Sequence, residues 1–171
     1  MRRSFRAGIT AVALTSGTLV GVATPAEAAV TTLYVRKAAA TCSDSGGGTS
    51  QQPFCTIGAA AAVVVAGQTV SIGSGRYAER VTVATSGAPG QPITFQASLN
   101  SDVSLTGPAA GFVVDGQHDI RIRNVEIDGT RDAPVLDLRG STAITVENGD
   151  FTVDDAMAVP PVRLTGVTTR G

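Results

Sequence analysis

Four aspartates in two turn-like segments are the chain's best candidates for a metal site. Asp128 and Asp132 fall in one segment, and Asp154 and Asp155 fall in a comparable one farther along the chain. If these turns stack, their carboxylates come close together, and carboxylate oxygens are ligands that calcium prefers. Aspartate is also an ordinary turn residue beside glycine and proline. We favour this simpler interpretation and keep a calcium site as the alternative.

Arg121, Arg123 and Glu126 are the candidate substrate-binding residues. Both arginines occupy outward positions of one alternating segment, and Glu126 lies just beyond them in the chain. Two guanidinium groups so placed predict a clamp for an acidic sugar, because each can donate two parallel hydrogen bonds to a carboxylate. Ordinary solvation of an exposed strand, with Arg123 paired to Glu147, is the favoured alternative.

No catalytic residue can be assigned from the sequence. His118 is the only histidine, and it falls in a turn before a strand, where we expect a solvated side chain. A serine–histidine–aspartate set, a phosphate-binding loop and a metalloprotease motif are all missing. The sequence also has no basic block or aromatic platform for nucleic acid, so we expect no nucleic-acid partner.

A repeat indicates which elements position these side chains. Residues 120–124 read Ile-Arg-Ile-Arg-Asn, and residues 144–148 read Ile-Thr-Val-Glu-Asn. Strict alternation of apolar and polar residues indicates a strand with one buried face. Its return without an intervening helix predicts a coil of stacked strands. A sandwich of antiparallel hairpins would give similarly spaced strands, but the aligned columns favour the coil. The aligned outward pairs are Arg123 with Glu147 and Asn124 with Asn148.

Short strands and turns are expected over most of the remaining chain. The expected strands lie near residues 32–35, 70–72, 81–83, 93–97, 103–105, 112–114, 120–128, 135–138, 144–153 and 162–164. An alanine-rich segment at residues 56–66 instead favours a helix, with Thr56 near its N-cap and Gly67 available to end it. Its apolar character predicts burial against a flat apolar surface.

The first 28 residues have the pattern of a secretory signal peptide. Arg2, Arg3 and Arg6 precede a weakly apolar run, and small residues typical of a cleavage site end at Ala28. The run is too short and too polar to make a good membrane anchor. A twin-arginine signal is an alternative export route. We therefore expect a secreted protein that is free of the membrane after cleavage.

Cys42 and Cys55 are the only cysteines in the chain. We expect a disulfide between them in an oxidising exterior, because two thiols with no nearby histidine or third cysteine make a poor zinc site. The predicted organisation is a signal peptide at residues 1–28, a cap with a disulfide loop and a helix at residues 29–67, and coil rungs at residues 68–171.

Several motifs together carry a family resemblance over roughly residues 32–130. They are Leu-Tyr-Val at 33–35, Cys-Ser-Asp-Ser-Gly at 42–46, Gln-Pro-Phe-Cys-Thr-Ile at 52–57, Gly-Gln-Thr-Val at 67–70, Gly-Arg-Tyr-Ala-Glu at 75–79 and Ser-Gly-Ala-Pro-Gly-Gln-Pro-Ile-Thr-Phe at 86–95. With the alanine-rich segment, they resemble the N-terminal cap and first rungs of secreted bacterial β-helix proteins of the pectate-lyase-like superfamily. The resemblance implies an all-β, right-handed parallel β-helix whose N-terminal α-helical cap covers one end. The chain has room for about four rungs.

The same resemblance implies a relation to polysaccharide-acting enzymes. Lyases of this superfamily combine carboxylate-bound calcium with an arginine or lysine base, and its hydrolases use clustered aspartates. Relatives usually continue for many more rungs, so we expect a truncated coil whose open C-terminal end pairs with missing rungs or another subunit. The expected function is contact with extracellular polysaccharide, as a lyase or hydrolase if the chain is an enzyme. A non-catalytic surface module and an inactive remnant are the alternatives.

Overall fold

Parallel pairing joins all of the described strands in the computed structural model. The structure describes residues 31–107, 109–129, 133–153, 160 and 162–166. The strands are β1 Thr32–Val35, β2 Thr69–Ile72, β3 Gly75–Tyr77, β4 Arg80–Val83, β5 Ile93–Ala97, β6 Val103–Gly107, β7 Gly111–Asp115, β8 His118–Arg123, β9 Glu126–Gly129, β10 Leu136–Arg139, β11 Thr142–Glu147, β12 Asp150–Val153 and β13 Val162–Thr165. Parallel pairing rules out the antiparallel sandwich and confirms the stacked coil.

Three sheets form the sides of the coil. The first sheet has the strand order β1-β2-β5-β8-β11, the second β3-β6-β9-β12 and the third β4-β7-β10-β13. The series β2–β4 therefore recurs as β5–β7, β8–β10 and β11–β13, so the described residues form four three-strand turns of a parallel β-solenoid. This agrees with the expected rung number.

The interior of the coil is a continuous stack of apolar side chains. In the first sheet, Val70 pairs in register with Phe95, and Phe95 with Ile122; all three are buried. Phe95 also meets Phe112 of the third sheet edge to face, with ring centroids 5.5 Å apart. Alternation along each strand thus turns one side chain in two toward the core and leaves the others on an outer face.

The helix that caps the coil is shorter than the sequence suggests. It spans Ile57–Val63, with the Thr56 side chain accepting a hydrogen bond from the Ala59 N–H at its N-cap. The expectation of a helix at residues 56–66 ended by Gly67 was wrong at the C-terminal side. Val64 is already extended and buried, because the chain turns there to enter β2, and β-branched valines favour extended backbone.

The predicted burial of one side of this helix is confirmed. Ile57, Ala60 and Ala61 are buried, and the helix contacts β1, β2 and β4. Val63 at the end of the helix and Val65 just after it remain about half exposed. No helix among the described residues is long and apolar enough to cross a membrane.

Two carboxylates and one disulfide fix the start of the helix. Cys42 and Cys55 are bonded, which confirms the predicted disulfide. The Asp44 carboxylate, inside the closed loop, accepts hydrogen bonds from the Cys55 and Thr56 N–H groups. Glu79, which follows β3, accepts from the first two N–H groups of the helix. The cap is therefore tied both to the disulfide loop and to the first turn of the coil.

Stacked asparagines form the corner between the first and second sheets, as the repeat predicts. Asn124 and Asn148 follow β8 and β11 and have positive φ angles of 55° and 51°. The Asn148 Nδ2 donates a hydrogen bond to the Asn124 Oδ1 at 3.1 Å. Asparagine suits this position because it tolerates left-handed backbone better than most residues do.

Candidate functional site

The predicted arginine pair lies on the outer face of the first sheet. Arg121 and Arg123 alternate along β8 with the buried Ile120 and Ile122. The two arginine side chains are 40% and 39% exposed, so they are available to a ligand while their stems rest on the sheet. We call this feature the guanidinium pair.

A single carboxylate from the next turn faces both guanidinium groups. Arg123 pairs in register with Glu147, and its Nε lies 2.7 Å from the Glu147 Oε2. The Arg121 Nε lies 3.7 Å from the Oε1 of the same carboxylate. The predicted Arg123–Glu147 pair is therefore present, but Glu147 is shared. Two guanidinium groups thus face one carboxylate across the strand pair.

Glu126 does not join the guanidinium pair on its face. It begins β9 in the second sheet, where its register partners are Ser104 and Asp150. The corner at Asn124 separates the two sheets. Sequence proximity had suggested a common site, but the bend of the coil gives Glu126 a different outer face.

Two clefts flank the guanidinium pair along the direction of the strands. At the start of β8, a cleft of about 320 Å³ is lined by Asp119, Arg121 and Thr145, together with apolar atoms of Pro92 and Ala143. A cleft of about 400 Å³ lies beyond the end of β5, where the chain turns toward β6. It is lined by Gln96, Ala97, Ser98, Leu99, Asn100, Ser101, Asp102 and Asn124. We call it the corner cleft.

The third sheet carries a charged cluster that sequence analysis missed. Asp137, in the middle of β10, has a side chain that is only 2% exposed. It accepts hydrogen bonds from Arg139 at Oδ1 and Oδ2. Arg80 lies 3.5 Å and Arg163 4.0 Å from Oδ2. These residues, which we call the Asp137 cluster, come from β4, β10 and β13 and link three turns of the coil.

The arginines around Asp137 change its acid strength. Hydrogen bonding from Arg139 lowers the pKa of Asp137, and burial opposes this effect only in part. The same contact raises the pKa of Arg139. Burial lowers the pKa of Arg80. The cluster therefore holds Asp137 ionised, which suits a structural ion pair and not a general acid, whose pKa must lie near the working pH.

One sequence signal could have revealed part of this cluster. Asp137 and Arg163 occupy the same place in two similar strands, Leu-Asp-Leu at 136–138 and Val-Arg-Leu at 162–164. The structure pairs these two residues in register. Arg80 carried no such signal, because it is three turns away from Arg163 and the number of residues per turn varies.

The predicted metal-binding aspartates lie mostly outside the described residues. This applies to Asp132, Asp154 and Asp155, whereas Asp128 is described and exposed on β9. Among the described residues, no group of three or more histidine, cysteine or acidic side chains is placed to hold a metal ion. His118 is half exposed, with its Nδ1 2.9 Å from the Asp119 carboxylate. The calcium site stays a prediction.

Comparisons with known proteins give a partial relative by sequence and similar solved structures by fold. No protein-family model matches the chain. It is 34% identical over 93 residues to uncharacterized protein YwoF of Bacillus subtilis (strain 168), which corresponds to 50% of this chain and 20% of the relative. The chain therefore matches only about a fifth of the length of that curated relative.

One structural neighbour is a rhamnogalacturonan lyase. The similarity covers 81% of this chain and 50% of the neighbour, with a TM-score of 0.44 and 18% sequence identity. At that level the neighbour carries no functional argument, and the β-solenoid fold rests on the strand pairing itself. The disulfide fits an extracellular protein.

Proposed function

We propose that this chain is part of a secreted β-solenoid that binds an acidic extracellular polysaccharide on the outer face of its first sheet. The main evidence for this proposal is the guanidinium pair. Arg121 and Arg123 project from one strand, stay partly exposed, and share the single carboxylate of Glu147. Guanidinium groups match the geometry of a carboxylate, so a partly exposed pair of them on one strand favours a carboxylate-bearing ligand.

The shape of the face also suits a linear polymer. A parallel sheet offers an extended outer surface, and the cleft of about 320 Å³ beside Arg121 adds a concave region with polar Asp119 and Thr145. Ligand sites are typically concave and combine apolar walls with a few polar groups. The polymer would lie across the guanidinium pair with one sugar unit in this cleft.

The state of Asp137 does not suit a role as a general acid. Asp137 is held ionised by arginines, which is the opposite of the raised pKa that a glycosidase needs in its general acid. Secretion is part of the proposal and is supported by the disulfide and by the signal-like first 28 residues.

Binding of polygalacturonate oligosaccharides, measured by isothermal titration calorimetry, tests the proposal. Arg121→Gln and Arg123→Gln should each weaken binding by about tenfold, and the double variant by more, because a charge-assisted hydrogen bond contributes about 1.5–3 kcal/mol. Arg76→Gln is the matched control, because Arg76 is exposed on β3 of the second sheet and its loss changes the net charge equally.

The outcome separates binding at the proposed site from non-specific electrostatic attraction. An unchanged affinity in the Arg121→Gln/Arg123→Gln variant would overturn the proposed site. An equal loss in Arg76→Gln would also overturn it, since any positive charge would then serve as well. Binding should weaken as salt is added, because exposed charges are screened.

A further inference from the structure

The corner cleft differs in chemistry from the guanidinium pair beside it. Its lining includes amide groups from Gln96, Asn100 and Asn124 and the carboxylate of Asp102. Amide and carboxylate groups accept hydrogen bonds from hydroxyls, and amides also donate to them. Among the residues that the structure describes, no arginine or lysine lines the cleft. It therefore suits a hydroxyl-rich, uncharged group, and the Asp102 carboxylate disfavours an anion.

The side-chain amide of Asn124, at the asparagine corner, can donate a hydrogen bond to a ligand in this cleft. Asn148 Nδ2 donates to Asn124 Oδ1, which fixes the orientation of the Asn124 amide and leaves its own Nδ2 as a donor. Asn100 also has a positive φ, of 57°, so the cleft is bordered by two asparagines in turn conformations. Amides oriented in advance bind a sugar with less loss of side-chain freedom.

Leu99 offers an apolar side chain that does not pack in the protein core. Its side chain is 91% exposed, although it stands in the lining of the corner cleft. The chain has no tryptophan and few other aromatic residues, so it lacks the usual platform for the apolar face of a sugar ring. An exposed leucine beside amides offers a small substitute.

The position of the corner cleft connects it to the guanidinium pair. Gln96, which lines the cleft, pairs in register with Arg123, and Asn124 follows Arg123 directly in the chain. Neighbouring strands lie about 4.8 Å apart. A group bound by Arg123 would therefore be next to a group in the corner cleft.

We infer that the corner cleft binds an uncharged, hydroxyl-rich sugar unit adjacent to the acidic unit held by the guanidinium pair. The ligand class is thus a polysaccharide that contains both acidic and neutral units, and not an acidic homopolymer. This inference rests on the proposed function. It assigns the neutral unit to Gln96, Leu99 and Asn124, and the acidic unit to Arg121 and Arg123.

Calorimetry with three oligosaccharides of equal length tests the inference. The probes are oligogalacturonate, a neutral galactan oligosaccharide, and an oligosaccharide in which uronate alternates with neutral hexose. The alternating probe should bind the unaltered protein at least tenfold more tightly than oligogalacturonate. Gln96→Ala/Leu99→Ser should abolish that advantage and leave oligogalacturonate binding unchanged. Arg121→Gln/Arg123→Gln should weaken the binding of both acidic probes.

A control variant and a local probe separate the possible failures. Gln51→Ala/Val65→Ser likewise replaces an amide by alanine and an aliphatic side chain by serine at exposed positions of the cap, and should leave all affinities unchanged. Methyl resonances of Leu99, followed by NMR, should shift with the neutral and alternating probes only. If oligogalacturonate fails to bind but these methyls still shift with neutral sugar, the proposed function fails and the cleft assignment stands.

Two results would overturn the inference itself. One is an alternating probe that binds no more tightly than oligogalacturonate. The other is a Gln96→Ala/Leu99→Ser variant that retains the full advantage, together with Leu99 methyl resonances of the unaltered protein that do not shift when the neutral probe is added.

Discussion

At Asp137, arginine side chains replace water around one carboxylate. The residue is on an outer face of the coil, yet its side chain is 2% exposed because Arg80, Arg139 and Arg163 cover it. Removing one member of a buried ion pair is costly, since the remaining charges lose their partner. The single side chain thus couples turns that are far apart in sequence.

Asp137→Asn should lower the free energy of unfolding by about 2 kcal/mol near neutral pH. Breaking a fully buried ion pair costs more than this, but here the arginines are partly exposed, and solvent compensates for part of the lost charge pairing. Urea unfolding followed by circular dichroism measures this. Asp115→Asn is the control: Asp115 also contacts Arg139, at 3.5 Å, but is 62% exposed, so its loss should have little effect. Equal effects in the two variants would contradict the role of burial.

The stabilisation from Asp137 should also depend on pH with a definite sign. Because the folded-state pKa lies below the ordinary value of 3.8, the ionised form favours folding. Its contribution is fully present above pH 3.8 and disappears as the pH falls through the lowered pKa. The difference in unfolding free energy between the unaltered protein and Asp137→Asn should therefore stay constant at higher pH and narrow below 3.8. A gap that narrows toward alkaline pH would contradict this assignment.

Two substitutions of Asn148 separate the contribution of its left-handed backbone to stability from the contribution of its side-chain hydrogen bond. Asn148→Ala loses the bond to Asn124 and places alanine at a φ of 51°, whereas Asn148→Gly loses only the bond. The alanine variant should be less stable than the glycine variant by about 1 kcal/mol, the cost of a left-handed residue with a Cβ. Chemical denaturation of both variants measures the difference. Equal stabilities would contradict this prediction, because they would mean that the backbone at position 148 leaves the left-handed conformation in the alanine variant.

At the scale of elements, the cap depends on contacts outside the helix. Seven residues form α1, and so short a helix is marginal in water by itself. The disulfide loop supplies Asp44 and the first turn of the coil supplies Glu79, so that free N–H groups at the helix start are satisfied. Packing of Ile57, Ala60 and Ala61 then holds the helix over the coil.

Cys42→Ala/Cys55→Ala should destabilise the protein by about 3 kcal/mol, the chain-entropy value for a closed loop of this size. Thermal unfolding with and without a reducing agent provides the measurement. Reduction should lower the melting temperature of the unaltered protein toward that of the double variant and leave the variant itself unchanged. A loss far below this value would mean that hydrogen bonds, such as those to Asp44 and between Ser43 and Pro53, hold the loop without the disulfide.

Across the whole molecule, one apolar core runs through successive turns. Phe95 is fully buried between its register partners Val70 and Ile122 and touches Phe112 across the coil. Such stacking links each turn to its neighbours, so stability is shared along the solenoid. The outer faces are then free to carry the guanidinium pair, the corner cleft and the Asp137 cluster.

Phe95→Ala should cost about 3–5 kcal/mol through lost burial and an internal cavity. Leu99→Ala, at an exposed position of the turn that follows β5, is the control and should be nearly neutral. Unfolding followed by far- and near-ultraviolet circular dichroism measures both. Coincident transitions are expected, whereas a Phe95→Ala variant as stable as Leu99→Ala would contradict a continuous core.

Local sequence patterns determined the strands, the corners and the disulfide. Alternation fixes which face of a strand is buried. The repeat of the pattern of residues 120–124 at residues 144–148 predicted the Arg123–Glu147 and Asn124–Asn148 contacts. The start of the helix was predicted from the N-cap preference of Thr56. Its end was not, because burial of Val64 in the tertiary structure overrode the alanine-rich composition.

Only the tertiary structure decided which charged residues share a face. Glu126 follows Arg123 closely in sequence but lies on another sheet, because the chain bends at Asn124. Arg80 is distant from Asp137 in sequence but lies against it, because the coil returns to the same side after turns of unequal length. Alternation is a property of neighbouring residues, whereas the register between turns depends on loop lengths, and loop lengths have no periodic signal.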